Sequence, residues 1–126
     1  MITAIHDAVR PVVSVELIDH LYQLTAANDA VIPVIPCRDS IRKKEENTTR
    51  ALNREDFFLV QTPQVFQSAV LKKAYLQEYN LGFTDDATVV EATGIAVVTA
   101  DGDFRNIKIT YPEDFIIAEA YLKEKA

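Results

Sequence analysis

The chain has 126 residues, 48% hydrophobic and 25% charged, which is an ordinary composition and length for one globular domain or a large part of one. A net charge of −6 argues against a general nucleic-acid binder, and the single cysteine, Cys37, excludes an internal disulfide and a cysteine metal cluster. No apolar run approaches the ~20 residues that span a bilayer, so a cytoplasmic protein with no membrane and no nucleic-acid partner is expected.

A strand is expected over 2–8, ending in His6-Asp7-Ala8-Val9-Arg10-Pro11. Ser14 reads as the cap of a helix to about 27, with Leu17, Ile18, Leu21 and Leu24 on its inner face. A second apolar strand is expected over 30–35. Pro33 inside it cannot donate to a ladder, which suggests an edge position or a bulge. Residues 38–54 differ in kind: they hold Arg38, Arg42, Lys43, Lys44, Arg50 and Arg54 but few apolar side chains. That segment is either a mobile loop or a projecting arm, with a hairpin turn near Glu46-Asn47. Phe57–Val60 returns apolar chain to the body, and Gln61-Thr62-Pro63-Gln64 is an extended connection.

A helix is expected over 68–79, with Val70, Leu71, Ala74 and Tyr75 inward. Thr84 opens a short one, with Asp85 and Asp86 in its first turn and Gly94 just past its end. Strands are expected over 95–99 and 104–110, separated by the turn Asp101-Gly102-Asp103. Pro112 starts a last helix whose inner stripe is Phe115, Ala118 and Leu122. Helices and strands alternate, so the class is α/β.

In open α/β sheets ligands bind beyond the carboxyl ends of strands, where Asp7 and Arg10 would stand. Taken alone, the pair reads more readily as a salt-bridged strand end. His6 is expected to be buried and hydrogen-bonded beside Asp7 rather than a ligand or base, and no Ser or Thr has a partnered His, which argues against a hydrolase. What remains is a phosphate-handling set: Arg10 and Lys108 as fixed cations, Thr62 and Thr84 as hydroxyl donors, Asp7 as an acceptor. A phosphate site normally adds a glycine-rich loop, yet the three glycines, Gly82, Gly94 and Gly102, stand singly at turns. That shortage, and a chain opening directly on a strand, lead to the expectation of a fragment.

Six segments together resemble the methylerythritol-phosphate cytidylyltransferase (IspD) family of non-mevalonate isoprenoid synthesis: Ile5–Pro11, Ile35–Ser40, Leu52-Asn53-Arg54, Gln61–Gln64, Thr84–Thr88 and Asn106–Thr110. They fall in family order across nearly the whole chain. The resemblance implies a Rossmann-like nucleotide-diphospho-sugar transferase (GT-A type) mixed sheet with a projecting β-arm, residues 1–126 being the C-terminal portion of a cytidylyltransferase domain. It implies transfer of CMP from CTP to 2-C-methyl-D-erythritol 4-phosphate, with pyrophosphate released and Mg²⁺ or another divalent cation neutralising the triphosphate.

Carried over by position, Asp7, Thr62 and Thr84 would contact the acceptor, Ala8 and Arg10 would line the nucleotide side, and Lys108 would be the catalytic cation facing the phosphates. Ser40 and Arg54 would sit on an arm, residues 38–60, that reaches the other subunit of a homodimer. Ser40 replaces the family's usual Thr, Val9 the commoner Ala, and Tyr111 a capping Thr. The large departure is the N-terminal half with its glycine-rich CTP loop, which leads to the expectation that this chain is inactive alone. The ribitol-phosphate cytidylyltransferase branch and a non-catalytic dimerisation or substrate-binding module are the alternatives.

Overall fold

In a computed structural model, which describes residues 1–125, the centre of the fold is β2 (Ala30–Pro36). Along one edge β2 pairs antiparallel with two strands in succession. Ala30 and Val31 face β6 (Gln64–Gln67), and Val34 to Pro36 face β5 (Phe58–Val60). The other edge pairs in parallel with β7 (Val98–Asp101), and β1 (Ile2–Ile5) completes the mixed sheet by pairing antiparallel with β6. Pro33 therefore lies in a central strand, and the expectation of an edge position is corrected. It is tolerated because the partner changes there, at the bend Gln61-Thr62-Pro63, and its carbonyl still accepts from Gln61 N at 2.9 Å.

Side-chain alternation divides the core between the two faces of the sheet. Val31 and Val65 pack with Leu17 and Leu21 of α1 (Val15–Thr25), whereas Ala30 and Phe66 pack with Leu71, Ala74, Val89 and Val90. The latter four belong to α2 (Ser68–Ala74) and α3 (Asp86–Glu91). Burial on both faces explains the unbroken apolar run Ala30–Val34. Each large side chain so buried contributes roughly 1.5–3 kcal/mol. Ser14 caps α1 by accepting from Leu17 N at 3.1 Å. At α3, Asp85 rather than Thr84 is the cap: its carboxylate accepts from Thr88 N while the Thr88 hydroxyl accepts from Asp85 N.

The basic segment is a hairpin. Strands β3 (Ile41–Lys44) and β4 (Thr49–Leu52) pair with each other and with no other strand among the described residues, turning at 45–48. Arg50 pairs with Glu45 at 2.9 Å, Arg42 donates to Thr49, and only Ile41 and Leu52 are half-buried.

Other expectations fail, the first strand ending at Ile5 rather than 8 among them. Residues 104–110 form no strand, α2 ends at Ala74, and the first expected strand beyond Gly94 begins at Val98 rather than 95. In α4 (Pro112–Lys125) Ala118 is buried, but Phe115 and Leu122 are 64% and 44% exposed, so the expected stripe is not an inner face. Tyr75 is likewise outward, at 54% exposure.

Candidate active site

The loop after β1 is held by a relay of donors. Asp7 N donates to Thr62 Oγ1 (2.9 Å), Thr62 Oγ1 meets His6 Nδ1 (2.9 Å), and His6 Nε2 meets the Arg10 carbonyl (2.9 Å). A carbonyl only accepts, so Nε2 carries the ring proton and Nδ1 accepts from the threonine. His6 is hydrogen-bonded as expected but exposed rather than buried, and the expectation that no Ser or Thr has a histidine partner is corrected by its bond to Thr62, which the fold brings together across 56 positions.

Arg10 is the strut under this loop. Its Nε donates to Asp7 Oδ2 at 3.0 Å, Nη1 to the Asn106 carbonyl at 2.7 Å and Nη2 to the Val60 carbonyl at 3.4 Å. Its side chain is 10% exposed. The guanidinium joins three separate stretches of chain and has few donors left for a ligand.

One cleft of about 540 Å³ is lined by Arg10, Arg38, Ser40, Phe104 and Lys108, with Asp39 and Asp114 at its acidic side. Lys108 is exposed and makes no ion pair with the described residues. Arg38, which the sequence reading left unassigned, stacks over the Phe104 ring at 4.8 Å, a contact that steers its charge without neutralising it. Asp114 accepts from the main-chain N–H groups of Thr110 and Tyr111, both at 2.9 Å, and those bonds hold its carboxyl below the usual carboxylate range. It thereby fixes the backbone immediately after Lys108.

Of the expected site residues, then, Arg10, Ser40 and Lys108 meet in one cleft, Asp7 joins it through Arg10, and Thr62 through Asp7. Ala8 is exposed on the same loop. Ser40 and Arg54 stand at the root of the hairpin rather than along it. Arg54 is exposed, with Nη1 donating to the Arg38 carbonyl at 2.6 Å.

Thr84 is not in this cleft. It lines a second depression of about 400 Å³ with Tyr75, Tyr79, Phe83, Asp85 and Asp86. Of Asp7, Arg10, Thr84 and Lys108, which were expected to share one hollow, only Arg10 and Lys108 line the first cleft, Asp7 being tied to Arg10 at its side. Buried Gln64 holds the start of α3 beside the second depression, donating to Asp85 Oδ2 at 2.9 Å and accepting from Ala87 N at 3.0 Å. In the second depression the Tyr75 hydroxyl donates to Asp86, and burial first, then that carboxylate, pushes its pKa up to about 12.

Two buried amides were also missed. Gln61 is 4% exposed, and Asn106 is fully buried with Nδ2 donating to the Thr62 carbonyl at 2.8 Å. Both stood inside matched motifs, Gln61 in an expected extended connection and Asn106 in an expected strand, and neither reading brings their side chains together. The described residues hold no group of three or more His, Cys, Asp or Glu able to bind a metal, so the expected divalent cation has no protein cage here. No described helix is long and apolar enough to cross a membrane.

Comparison with known proteins accords with this geometry. The profile of the family described as 2-C-methyl-D-erythritol 4-phosphate cytidylyltransferase matches residues 1–124. A curated protein of that name from Bacteroides fragilis is 46% identical over 121 residues, covering 96% of this chain and 55% of the relative. A bifunctional IspD/IspF enzyme from Desulfotalea psychrophila is 39% identical, over 98% of this chain and 32% of its own length. The crystal structure of the cytidylyltransferase from Thermus thermophilus superposes with a TM-score of 0.85 at 34% identity, covering 97% of this chain and 62% of that one. The chain thus spans about half the length of the curated relatives it matches. It belongs to the 2-C-methyl-D-erythritol 4-phosphate cytidylyltransferase (IspD) family.

Proposed function

We propose that the polypeptide carrying these residues transfers a cytidylyl group from CTP to 2-C-methyl-D-erythritol 4-phosphate, in the cytoplasm and within isoprenoid synthesis. Within it, this chain forms the acceptor-side wall of the pocket. The observation that carries the reading is the cleft in which Lys108 and Arg38 present unpaired positive charge beside the Ser40 hydroxyl. Such a surface suits a phosphate monoester.

An acceptor phosphate oxygen attacks the α-phosphorus of CTP. The bond from that phosphorus to the bridging oxygen breaks, and pyrophosphate leaves. Catalysis of this kind is mostly positioning and charge stabilisation. Lys108 is assigned to the phosphates and to the charge that grows in the transition state. Asp7, Thr62 and Thr84 are assigned to the acceptor, and Ala8 and Arg10 to the nucleotide side, Arg10 by shaping the loop rather than as a free cation. No step is assigned to a divalent ion. The glycines at 82, 94 and 102 form no run able to cradle a triphosphate, and these 126 residues are not expected to turn over by themselves.

Homodimerisation through the hairpin belongs to the same reading. Phe57, Phe58, Leu59 and Val60 are 40–60% exposed, an apolar run beside an arm that no other strand pairs with. A second copy covering that run would carry the hairpin and Arg54 toward the neighbouring cleft, while Ser40 stays in the cleft of its own chain. The test is pyrophosphate release from CTP with methylerythritol 4-phosphate or ribitol 5-phosphate offered side by side. Preference for the first is expected. Preference for the second would move the protein to the ribitol branch, and release with neither would favour a binding module.

A further inference from the structure

The stretch that carries Lys108 has no strand ladder to hold it. Between β7 and α4, residues 102–109 are tied to the sheet at a few points. Gly102 N donates to the Val34 carbonyl at 2.7 Å, and Ile109 N to the Val9 carbonyl at 2.8 Å. Between those two ends the ties are made by side chains. Arg10 reaches the Asn106 carbonyl and Asn106 reaches the Thr62 carbonyl, as described above. The Gln61 amide does the most: Oε1 accepts from Asp103 N at 3.1 Å, while Nε2 donates to the Asp103 carbonyl at 2.8 Å and approaches the Asn106 carbonyl at 3.4 Å. A primary amide has one acceptor oxygen and two donor hydrogens, so Gln61 mimics a neighbouring peptide and pairs with Asp103 as a ladder strand would.

The match is close enough to dictate the residue opposite. A Cβ added to Gly102 would fall 2.5 Å from Gln61 Oε1 and 3.1 Å from the Val34 carbonyl oxygen. Gly102 therefore serves close approach, and any larger residue displaces the amide. The arrangement is also kept at a cost, since the buried Asn106 Oδ1 finds no partner among the described residues.

We infer that Gln61 is a positioning residue for Lys108: its side-chain amide clips the 103–106 turn to the sheet and so sets where the ammonium two residues later meets the acceptor phosphate. This rests on the proposed role of Lys108. A bidentate clip is needed because a shift of about 1 Å at a transition-state contact can cost ~100-fold in rate.

The test compares Gln61→Met, which keeps length and apolar bulk but no hydrogen bonds, with Lys108→Ala and with the double variant, in the cytidylyltransferase polypeptide that carries this chain. Gln61→Met is expected to lower kcat by roughly 10- to 100-fold with the KM for CTP within about 3-fold. In the Lys108→Ala background the same change is expected to cost less than about 3-fold, since there is no ammonium left to misplace. Full additivity, or an unchanged kcat in Gln61→Met, would overturn the inference while leaving Lys108 in the site. An unchanged kcat in Lys108→Ala would overturn the site reading itself.

Gln61→Glu adds a readout that bulk destabilisation does not give. Protonated, the new carboxyl has one donor and one acceptor and can restore both Asp103 bonds; ionised, it loses the donor. Its kcat is expected to recover as pH falls, relative to the parent protein, and a parallel pH profile would count against the clip. Should Gln61→Met fail to fold, Gly102→Ala takes its place, pushing on the amide instead of deleting it, with faster amide exchange expected across 103–109. Unchanged exchange there would refute the clip.

Discussion

Replacing Arg10 tests the architecture that holds the loop of Asp7 and the turn before Lys108. Arg10→Ala deletes the donor to Asp7 Oδ2 at 3.0 Å, the donor to the Asn106 carbonyl at 2.7 Å, and a marginal third at 3.4 Å. Hydrogen bonds from a charged group contribute roughly 1.5–3 kcal/mol each. The Asp7 side chain is 35% exposed, so water takes over part of the lost ion pair and its share falls to the low end. The 3.4 Å contact contributes little. The Asn106 carbonyl, by contrast, keeps only the 3.4 Å approach of Gln61 Nε2. A loss of about 3 kcal/mol follows, or a fall in Tm of roughly 10 °C for a chain of this length. Arg10→Lys keeps a charge near Asp7 but cannot also reach Asn106, and should lose about 2 kcal/mol. Urea unfolding followed by circular dichroism measures both, with the midpoint shifting and the slope unchanged. A loss below about 1 kcal/mol for Arg10→Ala would refute the strut, because the cost of the orphaned carbonyl alone exceeds that.

Arg54→Ala is expected to weaken binding of the acceptor phosphate by about tenfold and leave CTP binding nearly unchanged in calorimetric titrations; an equal loss for CTP would contradict the arm assignment. Phe58→Asp places a charge in the exposed apolar run and should shift the sedimentation of the protein from dimer to monomer, whereas an unaltered sedimentation coefficient would place the interface elsewhere. Tyr75 holds its proton more tightly when folded, with a pKa of about 12 against an ordinary 10. Its contribution to stability is therefore complete below pH ~10, declines as pH rises through the folded value and is absent above it. Ultraviolet titration should show one of the five tyrosines ionising late, and Asp86→Ala should bring it back toward the others.

The sequence is most legible where causes are local. Ser14 as a helix cap, the turn at 45–48 and the Asp7–Arg10 pair each depend on residues a few positions apart, and each is present. The apolar run at 30–35 reads as a strand and is one, but its central position depends on which strands come to lie on its two edges. Residues 104–110 misled for a specific reason. Phe104, Ile107 and Ile109 look like strand residues, yet main-chain groups of Asp103 and Asn106 are taken by Gln61 and Arg10 from 42 or more positions away. Such long-range side-chain pairing leaves no periodicity to read. The stripe on α4 failed differently: Phe115, Ala118 and Leu122 share a helical face, but a shared face is buried only where another element covers it, and here only Ala118 is. Thr84 reads as the start of α3, whereas the cap is Asp85, and Thr84 lines a different depression from Lys108.

The most direct measurement is the rate of pyrophosphate release from CTP and methylerythritol 4-phosphate by the polypeptide carrying this chain, with Lys108 intact and with Lys108→Ala. Loss of the ammonium should lower kcat by 100-fold or more, about 3 kcal/mol of barrier, while the fold and the affinity for CTP are retained. Turnover within threefold of the parent would contradict the assignment of the cleft as the acceptor side of cytidylyl transfer.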